Sequence, residues 1–267
     1  MKKNVLNIAH RGASAFLPDN TIESFKQALV EKADMIELDI RKTADGEIVL
    51  FHDWYVKPDR FGSSDFSITR PVSHISFKEL SEFCEMKGFG LASLKEILQQ
   101  FGGYIDINIE LKAGGYEYEV LDLVKKYNLK DSILISSFFP WVIKKVKDID
   151  RDIKTGWIAG QEQIIYLNRL VRPWIRLLFK MTGADTVHLH SEIVTAEVIR
   201  RFHFYNIPVY AWTVDNISAM HWLIELDVDG IITNRPGQLY SLLNDKPLTE
   251  ETIILSNSEL ATSGKRV

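Results

Sequence analysis

The chain has 267 residues, 46% hydrophobic and 25% charged, enough to bury one sizeable core and incompatible with a disordered or fibrous protein. Its 32 basic and 36 acidic side chains leave a formal net charge of -4, so no basic excess exists to hold a polyanion and nucleic acid is not expected as a partner. The single cysteine, Cys84, excludes an internal disulfide and a thiolate metal cluster, and reads as a small buried side chain.

At the N-terminus Met1-Lys2-Lys3 opens like an export signal, but the apolar stretch is interrupted at Asn7 and ends at His10-Arg11. A cytoplasmic protein is expected, and no apolar run approaches a membrane span. Short β-rich segments then alternate with helical patterns, the mark of βα units around a parallel sheet. Strands are expected at 7–10, 34–40, 105–111, 132–137, 154–158, 186–190, 208–213 and 228–233. Eight parallel strands in about 245 residues match a closed (β/α)8 TIM barrel, an α/β fold of about 250 residues. An open doubly wound sheet is the alternative, disfavoured because no Gly-rich dinucleotide fingerprint follows the first strand.

Between the first two strands, Asn20-Thr21-Ile22-Glu23 reads as a helix start capped by Asn20, with Glu23 reaching back and the helix running to about Lys32. After the second strand, Ala44-Asp45-Gly46-Glu47 is hairpin chemistry, so 48–52 is expected to return as an antiparallel arm. A turn centred on Asp45-Gly46 would place Asp39 opposite His52. Residues 54–93, loosest at Gly62-Ser63-Ser64-Asp65, are expected as loops over the barrel mouth. Residues 1–245 thus read as one barrel domain with a hairpin and loop insertion after the second strand, and 246–267 as a frayed polar tail.

In Met35-Ile36-Glu37-Leu38-Asp39-Ile40 the acids alternate with aliphatics, so Glu37 and Asp39 share one strand face, roughly 7 Å apart. Asn108-Ile109-Glu110-Leu111-Lys112 repeats the pattern and adds a third carboxylate and a lysine. Each acid alone reads as a solvated strand end or half an ion pair. Three inside one barrel mouth repel one another and lose hydration, a cost that a divalent cation offsets. With oxygen ligands and no thiolate, that cation is expected to be Mg2+ or Ca2+. His10-Arg11-Gly12 ends the first strand and Phe51-His52-Asp53 ends the hairpin arm, so two histidines and an arginine converge on the same mouth. Beside a metal they suit proton transfer and phosphate binding, that is, phosphoryl transfer.

These residues resemble a known family. His10-Arg11, Glu37-x-Asp39 and His52-Asp53 match the HR…ExD…HD signature of the glycerophosphodiester phosphodiesterases. The likeness continues through 108–112, Ile135-Ser136-Ser137-Phe138, Ala211-Trp212-Thr213-Val214-Asp215 and Asp229-Gly230-Ile231-Ile232-Thr233, spanning about residues 5 to 240. The resemblance implies a (β/α)8 barrel with an insertion after the second strand. It implies acid/base roles for His10 and His52, metal ligation by Glu37, Asp39 and Glu110, and phosphate contacts from Arg11 and Lys112. It also implies hydrolysis of a glycerol phosphodiester to glycerol 3-phosphate and an alcohol such as choline or ethanolamine, by water or through attack of the glycerol 2-hydroxyl. Four stretches depart from the family pattern: Asp19 stands where glutamate is usual, Ala92-Ser93-Leu94 for Pro-Thr-Leu, Asn234 for aspartate, and Lys57-Pro58-Asp59 for Arg-Thr-Thr.

The segment 163–180 is both apolar and basic, with Arg169, Arg172, Arg176 and Lys180 on one helical stripe among Ile164, Leu167, Leu170, Trp174, Leu177 and Phe179. It reads first as a barrel helix divided at Pro173, and second as a peripheral membrane contact through 164–180 that would admit lysophospholipids. A lysophospholipase D releasing lysophosphatidate is therefore the first alternative. Trp54, Tyr55 and Trp212 can line an acyl groove or a choline pocket, or simply pack, and His188 and His190 share a strand face from which they can touch substrate. A metal-dependent sugar isomerase or aldolase fits the same fold, and an inactive binding protein is the non-enzyme alternative. The first needs no arginine-lysine phosphate clamp, and the second predicts a lost essential position, whereas all seven of the catalytic, metal and phosphate positions are present.

Overall fold

Eight short runs rich in β-branched and aliphatic residues form parallel strands: β1 (Leu6–His10), β2 (Met35–Lys42), β6 (Asp106–Leu111), β7 (Ile133–Ser137), β8 (Lys154–Ala159), β9 (Thr186–His190), β10 (Val209–Trp212) and β11 (Gly230–Thr233). The computed structural model describes residues 5–57, 69–160 and 179–245. Each of the eight strands is hydrogen-bonded in parallel to two others, and β1 pairs with both β11 and β2, so the sheet closes. This is the expected (β/α)8 barrel, with strand limits within two residues of those read from the sequence.

The period of two sorts side chains between two cores. Outward-facing Ile36, Leu38, Ile107, Ile109, Ile135, Val187, Leu189 and Ile231 are buried beneath the helices. Inward-facing Ile8, Met35, Leu134, Tyr210 and Ile232 form an apolar plug, with Leu6 and Trp212 packed against it. Above the plug the inner face turns polar, with Glu37, Asp39, Asn108, Glu110 and His188 all buried. The site therefore sits at the C-terminal mouth, as barrel enzymes place it.

Three local expectations are corrected. Thr21, not Asn20, caps the helix Ile22–Val30: its hydroxyl accepts from Ser24 N at 3.2 Å, and Thr21 N donates to Ser24 Oγ at 3.3 Å. Asn20 instead takes the left-handed conformation (φ 57°), and the helix ends before Lys32, which is also left-handed (φ 60°). The hairpin register is shifted by one residue from the expected one, and the loop is one residue longer. β3 (Ile48–Leu50) pairs Ile40 with Leu50 and Lys42 with Ile48, which puts Phe51, not His52, opposite Asp39. Asp-Gly serves here as the end of a three-residue loop with Gly46 at φ 92°, and the Thr43 hydroxyl bonding Asp45 (2.6 Å) and receiving Glu47 N (3.0 Å) holds that loop shut.

The third correction concerns 54–93, which is not loop alone. β4 (Tyr55–Val56) pairs with β5 (Arg70–Pro71), and a helix, Phe77–Met86, is capped reciprocally by Ser76 and Glu79. With Val49, they enclose a small core of Val56, Val72, Ile75, Leu80, Phe83 and Cys84. Burial pushes the Cys84 thiol up to about 12, so it is the inert side chain expected. Gly62 to Asp65, the segment 164–178 and the tail 246–267 lie outside the described residues, whereas Phe179 is buried against Phe202 at 6.1 Å. Among the described residues no helix is long and apolar enough to cross a membrane.

Candidate active site

Asp39 on β2 and Glu110 on β6 are register neighbours, and Glu37 lies one inward position below Asp39. The three buried carboxylates each offer an oxygen within 4.8 Å of the others. Burial, then repulsion from Asp39 and Glu110, pushes the Glu37 carboxyl well above the usual range. Burial and the charge of Asp39 lift Glu110 to about 7, despite its contact with Lys112. Burial also opposes the charge on Asp39, but Lys112 and Arg11 outweigh it and hold this carboxyl below its ordinary value. A compact set of hard oxygen donors, two of them with raised pKa values, fits a divalent cation.

The cations of the site face the same acids. Lys112 Nζ lies 2.8 Å from Asp39 and 2.5 Å from Glu110, and Arg11 Nε lies 2.8 Å from the second oxygen of Asp39. Arg11 Nη1 reaches Asp19 at 2.8 Å, so the departure from the family at position 19 falls on an arginine partner. The turn that presents Arg11 is sterically fixed. Gly12 has φ 84°, and a Cβ there would lie 2.4 Å from Ser24 Oγ and 2.6 Å from the Ser24 carbonyl carbon. Asn20 clasps Asp39 from the other side, donating through Nδ2 to the carboxylate and accepting from its backbone N–H, both at 3.0 Å.

The two histidines are held differently. Asn234 donates through Nδ2 to Asp215 at 2.5 Å, which orients its amide so that Oδ1 faces His10 Nδ1 at 2.7 Å. His10 must then carry its proton on Nδ1. Burial, aided by Arg11, lowers its pKa to about 4, so the imidazole is neutral and Nε2 is a bare acceptor. His52 Nδ1 lies 2.9 Å from the Asp53 carboxylate, and Arg41 anchors the loop by donating Nε (3.0 Å) and Nη2 (2.6 Å) to the His52 carbonyl. Burial, Lys112 and Arg11 lower the His52 pKa as well.

His10, Arg11, Glu37, His52, Glu110, Lys112 and Trp212 all line one pocket, and Asp39 is buried directly behind it. The pocket adds four residues that sequence reasoning did not place: Asn108, Phe138, Ile158 and Ile232. Phe138 packs edge-on against Trp212 at 5.4 Å and under Lys112 at 5.8 Å. Of the two β9 histidines only His188 lines the pocket, while His190 packs edge-on against Trp212 at 5.0 Å. Asn20, Arg41, Asp215 and Asn234 were also missed as supports. Asp215 stands inside a quoted motif and Asn234 marks a departure from one, but the supporting role of these residues was not legible because their partners are 11 to 224 positions away in the chain.

Residues 10–238 match the model of the Glycerophosphoryl diester phosphodiesterase family. A glycerophosphodiester phosphodiesterase of Caldanaerobacter subterraneus subsp. tengcongensis is 32% identical over 250 residues, covering 89% of this chain and 97% of the relative. In fold, the chain superimposes on a putative glycerophosphoryl diester phosphodiesterase from Silicibacter pomeroyi with a TM-score of 0.81 at 22% identity, over 93% and 97% of the two chains. An Oleispira antarctica phosphodiesterase, solved in complex with the product sn-glycerol-3-phosphate, gives 0.73 at 21% identity, over 89% and 96%. A family match that takes in every pocket residue, together with a relative aligned almost end to end, establishes that the chain belongs to the glycerophosphoryl diester phosphodiesterase family.

Proposed function

We propose that this protein hydrolyses glycerophosphodiesters to glycerol 3-phosphate and an alcohol. One observation carries the reading: two histidines, an arginine-lysine pair and two buried carboxylates line a single pocket of a hydrolase-family barrel, with the third carboxylate, Asp39, clustered with the other two. Glu37, Asp39 and Glu110 would hold the divalent cation, which when bound supplies charge for the phosphate and acidifies a bound water or hydroxyl. Arg11 and Lys112, drawn to Asp39 by charge, are positioned to bind the phosphate oxygens. His10, neutral with a bare Nε2, is assigned the general base. His52, less buried than His10 and with the Asp53 carboxylate at Nδ1 opposing the lowering by burial, Lys112 and Arg11, is assigned the acid that protonates the leaving alcohol.

A lysophospholipid substrate is the second reading. Trp54, Phe139 and Trp141 form an aromatic ledge with ring separations of 6.4 and 4.8 Å, and Trp54 and Trp141 are 51% and 65% exposed. Such a ledge suits an acyl chain or a membrane surface. The deciding experiment is hydrolysis of glycerophosphocholine and lysophosphatidylcholine side by side, under chelator and then with Mg2+ or Ca2+ restored. Chelator-sensitive release of glycerol 3-phosphate is the expected result. Turnover of the lysolipid alone would transfer the assignment to lysophospholipase D, and turnover of neither would refute both.

A further inference from the structure

We propose that a cavity beside the catalytic pocket binds an anionic group, a phosphate monoester or a carboxylate, carried by the alcohol half of the substrate, with the Arg41 guanidinium as its main contact. This deepens the diesterase reading and rests on it. The cavity, of about 370 Å³, is walled by the end of β2, by β4 and β5 and by the loop after β6. Its lining includes Arg41, Lys42, Trp54, Ser73, Gly114 and Gly115 and, among the described residues, no acidic side chain.

Arg41 sets this cavity apart. It is only 4% exposed, yet among the described residues it has no ion-pair partner. The acids nearby are engaged elsewhere: Asp39 with Arg11 and Lys112, Glu110 with Lys112, and Asp53 against His52. Nε and Nη2 both donate to the His52 carbonyl, which carries no full charge, and the guanidinium carbon lies 4.3 Å from the Trp54 ring centre. Nη1 is left without a hydrogen bond to any described residue. Buried charges are ordinarily paired, and a guanidinium edge facing open space is suited to an oxyanion. Lys42 is already matched by Glu119 at 2.6 Å, so the unbalanced charge is that of Arg41. Opposite it, Gly114 and Gly115 present backbone alone, which leaves room for a ligand.

The placement relative to the chemistry identifies which half of the substrate is read. Arg41 follows Glu37 and Asp39 on the same face of β2, roughly 7 Å above Asp39 toward the mouth. His52, assigned to protonate the leaving oxygen, has its carbonyl in the grip of Arg41. An alcohol whose oxygen faces His52 therefore runs toward Arg41. A phosphate at the far end of a three-carbon alcohol lies six bonds from the reacting phosphorus, roughly 7 Å when extended, which matches the step from Asp39 to Arg41.

The test compares two diesters of glycerol 3-phosphate, one with propan-1-ol and one with 3-hydroxypropyl phosphate, whose leaving groups differ in the terminal phosphate. Wild type is expected to favour the second by roughly 10- to 100-fold in kcat/KM. Arg41→Gln, which keeps an amide donor for the His52 carbonyl and loses the charge, should bring that ratio close to one. Any misplacement of His52 slows both esters alike, so the ratio reads the cavity alone. Ser73→Glu, which sets a carboxylate on the cavity wall, should lower the ratio by roughly twofold to fivefold. A wild-type ratio near one overturns the proposal, and so does a preference that Arg41→Gln retains or, should that variant not fold, one that Ser73→Glu retains. Should the wild-type ratio be near one while inorganic phosphate slows the propyl ester less in Ser73→Glu than in wild type, the cavity takes a free anion and not part of the substrate. Failure of wild type to release glycerol 3-phosphate from either ester would instead refute the diesterase reading itself.

Discussion

Asn234 decides where His10 carries its proton. Its amide is pinned by Asp215 through both Nδ2 and the backbone N–H, so only an acceptor oxygen can face the imidazole. The neutral amide leaves His10 without the carboxylate partner that His52 has in Asp53, and this asymmetry underlies the base and acid assignments above. His10→Ala is expected to cost about 100- to 10,000-fold in kcat with an unchanged circular dichroism spectrum, and Glu37→Gln at least about 100-fold. Wild-type turnover by either variant under matched conditions would remove these residues from the site. His52→Ala should be nearly as damaging on glycerophosphocholine, yet far less so on a glycerophosphodiester whose leaving group is p-nitrophenol, which departs without a proton. Equal losses on the two substrates would reverse or refute the acid assignment. The candidate residues were legible in the sequence because strand alternation puts Glu37, Asp39 and Glu110 on inner faces whatever the barrel's exact register. Asn234 was legible only as a departure from a motif, since the residues it joins, His10 and Asp215, are 224 and 19 positions away.

At the scale of elements, the turn after β1 and the hairpin after β2 carry the histidines. The first is specified by sterics: Gly12 needs a positive φ and has backbone atoms of the following helix where a side chain would go. Gly12→Ala is expected to destabilise the fold by about 3 kcal/mol, combining overpacking and backbone strain, measurable as a lower denaturant midpoint. An unchanged midpoint would mean that the turn can relax. The second is specified less tightly. Asp45-Gly46 is compatible with two-residue and three-residue loops, and a shift of one residue changes which side chain lies opposite Asp39. Choosing between them took Thr43 and Glu47, whose hydrogen bonds close the longer loop, and the ladder ends at Leu50 before His52 is reached. His52 is placed by Arg41 instead, so Arg41→Ala should lower kcat while leaving the thermal midpoint within a few degrees of wild type. A collapse of the midpoint would show that Arg41 serves the fold more than the site.

For the whole molecule, concentrating acids at the mouth makes stability depend on pH and on the cation together. Glu37 and Glu110 have pKa values raised in the folded state, Glu110 to about 7, so what they contribute is present below their unfolded values and lost as pH rises through the folded ones. Asp39 has the opposite sign: its contribution is present above the ordinary aspartate value and lost in acid. Between pH 6 and pH 8 the two glutamates lower the midpoint of chelated protein, while the neutral His10 and His52, whose pKa values are lowered, raise it; a divalent cation, which acts on the carboxylates, is therefore expected to raise the midpoint more at pH 8, where they are already deprotonated, than at pH 6. A cation-induced rise that is no larger at pH 8 than at pH 6 would contradict the clustering of these charges.

The sequence by itself determined the barrel, its eight strands to within two residues, and the identity of the acids, histidines and cations at its mouth, because all of these follow from local periodicity and from residue types that the interior tolerates only with a purpose. It did not determine the helix cap at Thr21, the hairpin register or the helix Phe77–Met86 inside the expected loop region, where competing local solutions differ by single hydrogen bonds. Nor did it disclose Asn20 against Asp39, Arg41 against His52, or the unpartnered faces of His188 and Asn108. Those were decided by tertiary structure alone. A closed barrel brings residues from distant strands within hydrogen-bond reach, and whether a buried polar atom finds a partner depends on every strand at once.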